Sequence, residues 1–296
     1  MAQVEQFGRR ATIELGDIKV EQKPFVRGLR FSFTVERDKT EMPNSAEVKI
    51  WGLSAETRQR LEAQSELTCR ITAGYGDAHG EIFFGIVQDA ETIRDGADRI
   101  LRVTLDEEGG NEYMSKEVAY AAPKGTALKT VLKSLIGATG MKLGNADKLN
   151  PKFLSSTSTS LESGYVAHGS AVFELNLFCQ ACGIDWSFQD GQFTGSLLGE
   201  AYRQDGPLFT PQTGLIDVRL DRRGNIEGKA LLTTDLRPGV GFQVESESIT
   251  GAFVASATSH TGDNYDEGNW HVVFHGIPYG ATSDGLIPEK TNETTQ

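Results

Sequence analysis

Apolar residues alternate with polar ones in several short runs, and this period of two restricts the chain to a mainly β fold. From Leu29 to Val35, Leu29, Phe31, Phe33 and Val35 point one way and Arg30, Ser32 and Thr34 the other. In Pro43–Leu53, Ala46, Val48 and Ile50 share one face and Glu47 and Lys49 the other. Gly52 breaks that strand. Ser54 then reads as an N-cap with Glu56 in the first turn of a short helix, 55–63. A second strand, 67–75, ends in Gly74-Tyr75.

The same pattern extends in both directions. Residues 11–20 read as one strand interrupted at Gly16, 81–91 as another, and 100–106 returns after an Asp95-Gly96 hairpin signal. About six antiparallel strands and one helix by residue 108 suffice for a small closed barrel. The texture then changes at Glu107-Glu-Gly-Gly-Asn-Glu112. Gly125–Leu135 followed by Gly140-Met-Lys-Leu matches Gly169–Cys179 followed by Gly183-Ile-Asp-Trp. Each unit reads as a capped helix, a glycine and a strand, and the second continues through an Asp190-Gly191 hairpin. Leu154–Ser160 is a polar loop. Strands resume from Thr213, with Ile216, Val218 and Leu220 alternating against Asp217, Arg219 and Asp221. Arg222–Leu232 reads as a loop or bulged segment, Arg237-Pro-Gly239 as a turn, and 240–244 as a strand. Gly251 turns the chain into 252–260, Gly262–Asn269 is a polar hairpin tip, and 270–277 is the closing strand.

The expected architecture is mainly β with an α+β insertion: two tube-type antiparallel β-barrels flank a small α+β middle domain. The expected divisions are 1–108, 109–210 and 211–282, with a flexible tail over 283–296.

Composition narrows the functional classes. With 38% hydrophobic and 24% charged residues, the 296-residue chain has ample means to build cores. Three cysteines argue against a disulfide framework. The formal net charge of −12 disfavours wrapping nucleic acid; it does not exclude a passage that nucleic acid slides through without sticking, and it equally fits a charge that only keeps the protein soluble. No apolar run is long enough to span a membrane, and the first ten residues lack a secretory pattern.

Candidate chemistry is sparse. Cys179 and Cys182 form a C-x-x-C pair, but there is no second pair to complete a zinc site, and the two fall near a helix C-terminus rather than its start. His260, Asp263, Asp266, Glu267, His271 and His275 raise a metal site. On one strand, however, His271 and His275 lie about 13 Å apart, too far to share an ion. Gly74–Gly80 lacks the Lys-Ser/Thr of a phosphate loop. Arg222-Arg223 beside Asp221 reads as a solvated loop. No catalytic, cofactor-binding or metal-ligating residue is assigned, and no enzyme is expected.

Four features in order resemble the baseplate hub proteins of long-tailed bacteriophages, the family that includes the late-control protein D group. The first is Pro43-Asn44-Ser-Ala-Glu-Val-Lys-Ile-Trp-Gly52-Leu-Ser54, with Gly52 where the family often has Asn. The second is Ala73-Gly74-Tyr75 followed by Ile82–Val87. The third is the Gly125-Thr126 helix with the Gly183-Ile-Asp-Trp186 strand. The fourth runs Thr213–Ile216, Ala230–Leu232, Leu236–Gly239, His260–Asp263 and Trp270. The resemblance implies a homotrimer whose paired barrels form a pseudo-six-fold ring joining a six-fold tail tube to a three-fold spike. Implied partners are the tail tube protein, the central spike, the C-terminus of the tape-measure protein, and baseplate wedge or distal-tail proteins. DNA would only pass through the lumen, and no membrane binding is implied. The location would be the virion, after synthesis in the host bacterial cytoplasm. Two other readings stand beside it: a distal-tail or tube-cap ring, and a thiol oxidoreductase using Cys179 and Cys182.

Overall fold

The computed structural model describes residues 8–23, 28–265 and 269–280. The first segment holds β1 (Arg9–Leu15), β2 (Ile18–Gln22), β3 (Phe31–Asp38), β4 (Ser45–Trp51), α1 (Ala55–Ala63), β5 (Thr68–Tyr75), β6 (Ala78–Asp95) and β7 (Asp98–Glu107). Alternation places Phe31, Phe33, Val35, Ala46, Val48 and Ile50 in the core, as expected. Leu29 lies just before β3 and is 42% exposed, so the inward face starts at Phe31. The Ser54 hydroxyl caps α1 by accepting from the Thr57 N–H at 3.1 Å. Residues 11–20 differ from the single interrupted strand. β1 and β2 form an antiparallel hairpin with Leu15 opposite Ile18, because Gly16 adopts φ +57° and reverses the chain.

The insertion holds α2 (Gly110–Met114), β8 (Glu117–Ala122), α3 (Leu128–Thr139), β9 (Tyr165–Ser170), α4 (Ala171–Ala181), β10 (Ile184–Gln189) and β11 (Gln192–Leu197). The internal likeness is visible in both helices, which follow a strand and end at left-handed Gly140 and Gly183. The halves then diverge. Ser170 caps α4 through the Phe173 N–H, whereas the Thr126 hydroxyl is spent on the Pro123 carbonyl at 2.8 Å. Helix α3 therefore starts at Leu128, with no side-chain cap. No strand follows Gly140; Lys142 makes a single bridge to Gln192.

The last segment holds β12 (Leu208–Phe209), β13 (Leu215–Leu220), β14 (Ile226–Leu231), β15 (Gly241–Glu245), β16 (Thr250–Asp263) and β17 (Trp270–Pro278). Part of Arg222–Leu232 is strand β14, not a loop. Gly228 disguises it: a Cβ there would lie 2.3 Å from the Phe274 ring, so this central strand needs a glycine. Gly251 likewise sits inside β16 and does not turn the chain. Strand β17 is not a closing edge. It runs between β14 and β16. The expected tail over 283–296 lies outside the described residues.

The fold is mainly β with an α+β insertion. Three hydrophobic cores form, one within each segment, and Leu232 and Trp270 cross over into the first. No local pattern signals how the two β segments join. Residues 257–263 of β16 pair antiparallel with 32–38 of β3, so both segments belong to one 13-stranded sheet. At this join Gly262 stands opposite Phe33, and a Cβ on it would lie 2.3 Å from the Phe33 ring. Phe33 in turn meets Trp270 edge-on at 5.7 Å. Gly262→Ala is expected to cost about 1–3 kcal/mol in urea unfolding through overpacking. Gly96→Ala has no atom in its way and is expected to cost about 1–2 kcal/mol through its φ of +59° alone. A Gly262→Ala loss below that of Gly96→Ala would contradict the packing account.

Candidate functional site: a polar face across eight strands

The join has a consequence for the sheet's second face. Strands β13, β14, β17, β16, β3, β4, β7 and β6 follow one another without a break. Their buried residues point to the cores, so the alternate residues make a face of their own. Along the register, Lys229, Val273, Ser259, Glu36, Ser45 and Asp106 form one row. The next row is Leu231, His271, Thr261, Thr34, Glu47, Thr104 and Asp89. A third runs Asp263, Ser32, Lys49, Arg102 and Glu91. These rows cross from one β segment to the other at the β16–β3 pairing.

Charges of both signs alternate on this face and neutralise one another locally. Lys49 meets Glu47 at 2.7 Å, Arg102 meets Glu91, and Arg30 meets Asp263 at 2.9 Å. The first two pairs are partly exposed and add little stability, whereas Asp263 is buried. The three pairs keep the central rows of the face polar; the row beyond them, Trp51, Ile100 and Ile93, is apolar. Glu47 and Lys49, the outward residues of the opening alternation, lie in the middle of it.

A second polar feature fixes the insertion to both β segments. The side chain of Arg37 is 2% exposed; its Nη2 donates to the Ile82 carbonyl at 2.8 Å and to Asp190 Oδ1 at 3.0 Å. Arg237 reaches the other oxygen of Asp190 and donates to the Glu81 carbonyl at 3.0 Å. Asn44 Nδ2 donates to Glu107 Oε2 at 2.5 Å, to Gln189 Oε1 at 3.1 Å and to the Phe188 carbonyl at 3.2 Å. Glu107 also accepts from the Asp190 N–H. Burial raises the Glu107 pKa, and the Arg37 charge opposes that shift. Asp190 therefore joins all three segments. It occupies the left-handed turn position of the β10–β11 hairpin, at φ +52°. The Asp190-Gly191 and Arg237-Pro-Gly239 turns were legible as turns. Their side-chain meeting had no local signal.

The other sequence candidates fall into place separately. Cys179 and Cys182 sit at the C-terminal end of α4, buried and unpaired with each other. Burial pushes the Cys182 thiol up to about 11 and Cys179 well above its ordinary value. A redox pair needs the opposite shift. Asp263 and Asn264 hold the end of β16 to the start of β3: Asn264 Oδ1 accepts from the Phe31 N–H at 2.8 Å, and its Nδ2 donates to the Leu29 carbonyl at 2.9 Å. His271 and His275 face the polar side, on separate rows. Asp266 and Glu267 lie outside the described residues. Gly76-Asp77 turns the β5–β6 hairpin. Arg222 and Arg223 occupy an exposed turn whose Asp221 carboxylate accepts from the Arg223 and Asn225 N–H groups. Among the described residues, no group of three His, Cys, Asp or Glu side chains could hold a metal ion, and no helix is long and apolar enough to cross a membrane.

No protein-family model matches the chain, and no curated protein matches it. Solved structures do. The 43 kDa tail protein of prophage MuSo2 from Shewanella oneidensis superposes with a TM-score of 0.62 at 7% identity, over 92% of this chain and 97% of that one. The chain has a phage tail-protein fold. A tail protein from Neisseria meningitidis MC58 gives a TM-score of 0.58 at 11% identity, over 95% and 98% of the two chains. The E. coli c3393 protein, a type VI secretion component described as similar to the T4 tail proteins gp27 and gp5, gives 0.56 at 9% identity, over 90% and 76%. The tail-protein fold agrees with the resemblance carried by the four ordered motifs.

Within this tail-protein fold, His260 reports on the join. It is fully buried in β16 and its Nε2 donates to the Thr233 carbonyl at 3.0 Å. Burial, with Arg37 nearby, lowers its pKa to about 3. The unfolded chain protonates this imidazole near pH 6.5, so the stability it contributes is present above that pH and is lost as pH falls toward 3. Lowering pH from 6.5 to 5 should cost about 1.5–2 kcal/mol through this residue. His260→Leu should remove that part of the slope in urea unfolding; an unchanged slope would contradict the assignment.

Proposed function

We propose that this chain is a structural tail protein that acts as a baseplate hub. The observation that carries the reading is the polar face that continues over eight strands and across the join of the two β segments. A face of that breadth, polar on one side and fused to cores on the other, is suited to lining a channel. In this reading three copies form a closed ring, and their six β segments present a pseudo-six-fold surface to the tail tube and a three-fold one to the spike. The alternating, locally paired charges let DNA and the end of the tape-measure protein pass without adhering, consistent with the net charge of −12. The insertion stands off the channel side, where wedge or distal-tail proteins would dock. The domains are proposed as 1–108, 109–210 and 211–282. The protein works in the virion, and its role involves no chemical step.

The test is the mass of the purified full chain by light scattering, alone and with its spike partner. The reading expects three times the 32.2 kDa chain mass. A monomer under both conditions overturns it, and a six-membered ring transfers the role to a tube-cap or distal-tail protein.

A further inference from the structure

Helix α4 is apolar on two sides. One side packs into the core of the insertion. Phe173, Leu177 and Ala181, spaced four apart, form a second stripe that faces outward, with Phe173 59% exposed. A helix that is apolar all round is normally covered all round. The stripe continues past the helix. The Leu154 N–H donates to the Ala181 carbonyl at 3.0 Å, and the Leu154 side chain, 65% exposed, fills the space that a Cβ on Gly183 would need. The Leu198 N–H donates to the Gly183 carbonyl at 3.0 Å, and Leu198 is exposed as well. Beside Leu154 and Ala181 the strip borders an open groove of about 520 Å³, walled by Phe153, Leu161 and Tyr165. Contiguous bare apolar surface of this kind marks a docking site.

We infer that the chain's own C-terminal segment, 281–296, covers this strip, with Leu286 and Ile287 seated on Leu154 and Leu177. The inference rests on the fold and not on the hub reading. The first argument is where the described chain stops. The Tyr279 N–H still bonds the Ala252 carbonyl of the last β segment at 3.0 Å, but the Gly280 N–H bonds the Gly199 carbonyl of the insertion at 2.8 Å. The chain is thus handed from the sheet to the insertion, beside Leu198 at one end of the strip. The second argument is reach. From Gly280 to Leu286 an extended chain spans up to about 20 Å. The helix from Ala181 back to Phe173 is only about 12 Å long. The third is composition. Leu286-Ile287-Pro288 is the one cluster of large apolar residues in an otherwise polar segment. Charge agrees with this placement. Lys290 is the segment's one basic residue, and Glu174 is the one charged residue of α4. A segment running from Leu154 toward Phe173 brings Lys290 to the Glu174 end. The competing site is the groove beside Leu208 and Phe253, which also borders Tyr279. It lies on the last β segment, which the chain has left by Gly280. A partner that docks on this face of the insertion must first displace the segment.

The experiment uses the full-length chain carrying Leu177→Cys and Ile287→Cys together. Leu177 is exposed, so its replacement leaves the core intact, and the native thiols are buried. The expected result under mild oxidation is a disulfide within one chain, located by peptide mapping and reversed by reductant. Seating the segment holds the two thiols at a higher effective concentration than a loose tether does, so adding Leu286→Asp to the same chain should slow bridging about tenfold. An unchanged rate would show tethering without docking and overturn the inference. A bridge between two chains assigns the segment to a neighbouring copy, and faster bridging of Ile287→Cys to Leu208→Cys assigns it to the competing groove; either result overturns it. So does the absence of any bridge. None of these outcomes alters the mass of the assembly, so the hub reading stands or falls separately.

Discussion

Seven register pairs between β16 and β3 carry the architecture, because they turn two curled β segments into one sheet. Several unrelated interactions converge on them. Gly262 makes room for the Phe33 ring, Trp270 covers that ring from the neighbouring strand, and Asn264 fastens both the Phe31 N–H and the Leu29 carbonyl. His260 contributes a neutral, buried imidazole, and Arg30 closes on Asp263. Take the pairing away and the polar face breaks in half. The cores would also separate, since Trp270 and Leu232 are contributed from the last segment to the first.

The insertion is held by a different kind of contact. Buried charge is costly unless paired and hydrogen-bonded. The cluster of Arg37, Asp190, Arg237, Glu107 and Asn44 meets that condition only when all three segments are in place. Such a cluster contributes specificity of docking more than net stability. It lets the insertion adopt one orientation on the sheet, which apolar contact alone would not define.

What the sequence made legible follows the range of the interactions. Short-range patterns were readable: alternation over Phe31–Val35 and Ala46–Ile50, the Ser54 cap, the Asp95-Gly96 and Asp190-Gly191 turns, and the left-handed glycines after α3 and α4. Glycine is a poor local guide at three positions. Gly228 looked like a loop because the Phe274 ring that requires it is 46 positions away, and Gly251 looked like a turn. Gly16 hid a full reversal inside what looked like one strand. The polar face could not be seen at all from one strand, although Glu47 and Lys49 were correctly placed outward. The His260–Asp263 motif is readable as a family feature, and its residues join β16 to β3.

The central claim is that the two β segments form one sheet through β3 and β16. Native-state hydrogen exchange of the intact protein tests it most directly. Backbone amides of Phe33–Arg37 and Thr258–Gly262 that bond across the join should share one opening free energy and open together with β4 and β17 as denaturant is raised. Exchange of the β16 amides at a markedly lower opening free energy than those of β4, with β3 left protected on its β4 side only, would show two independent β segments and contradict the account.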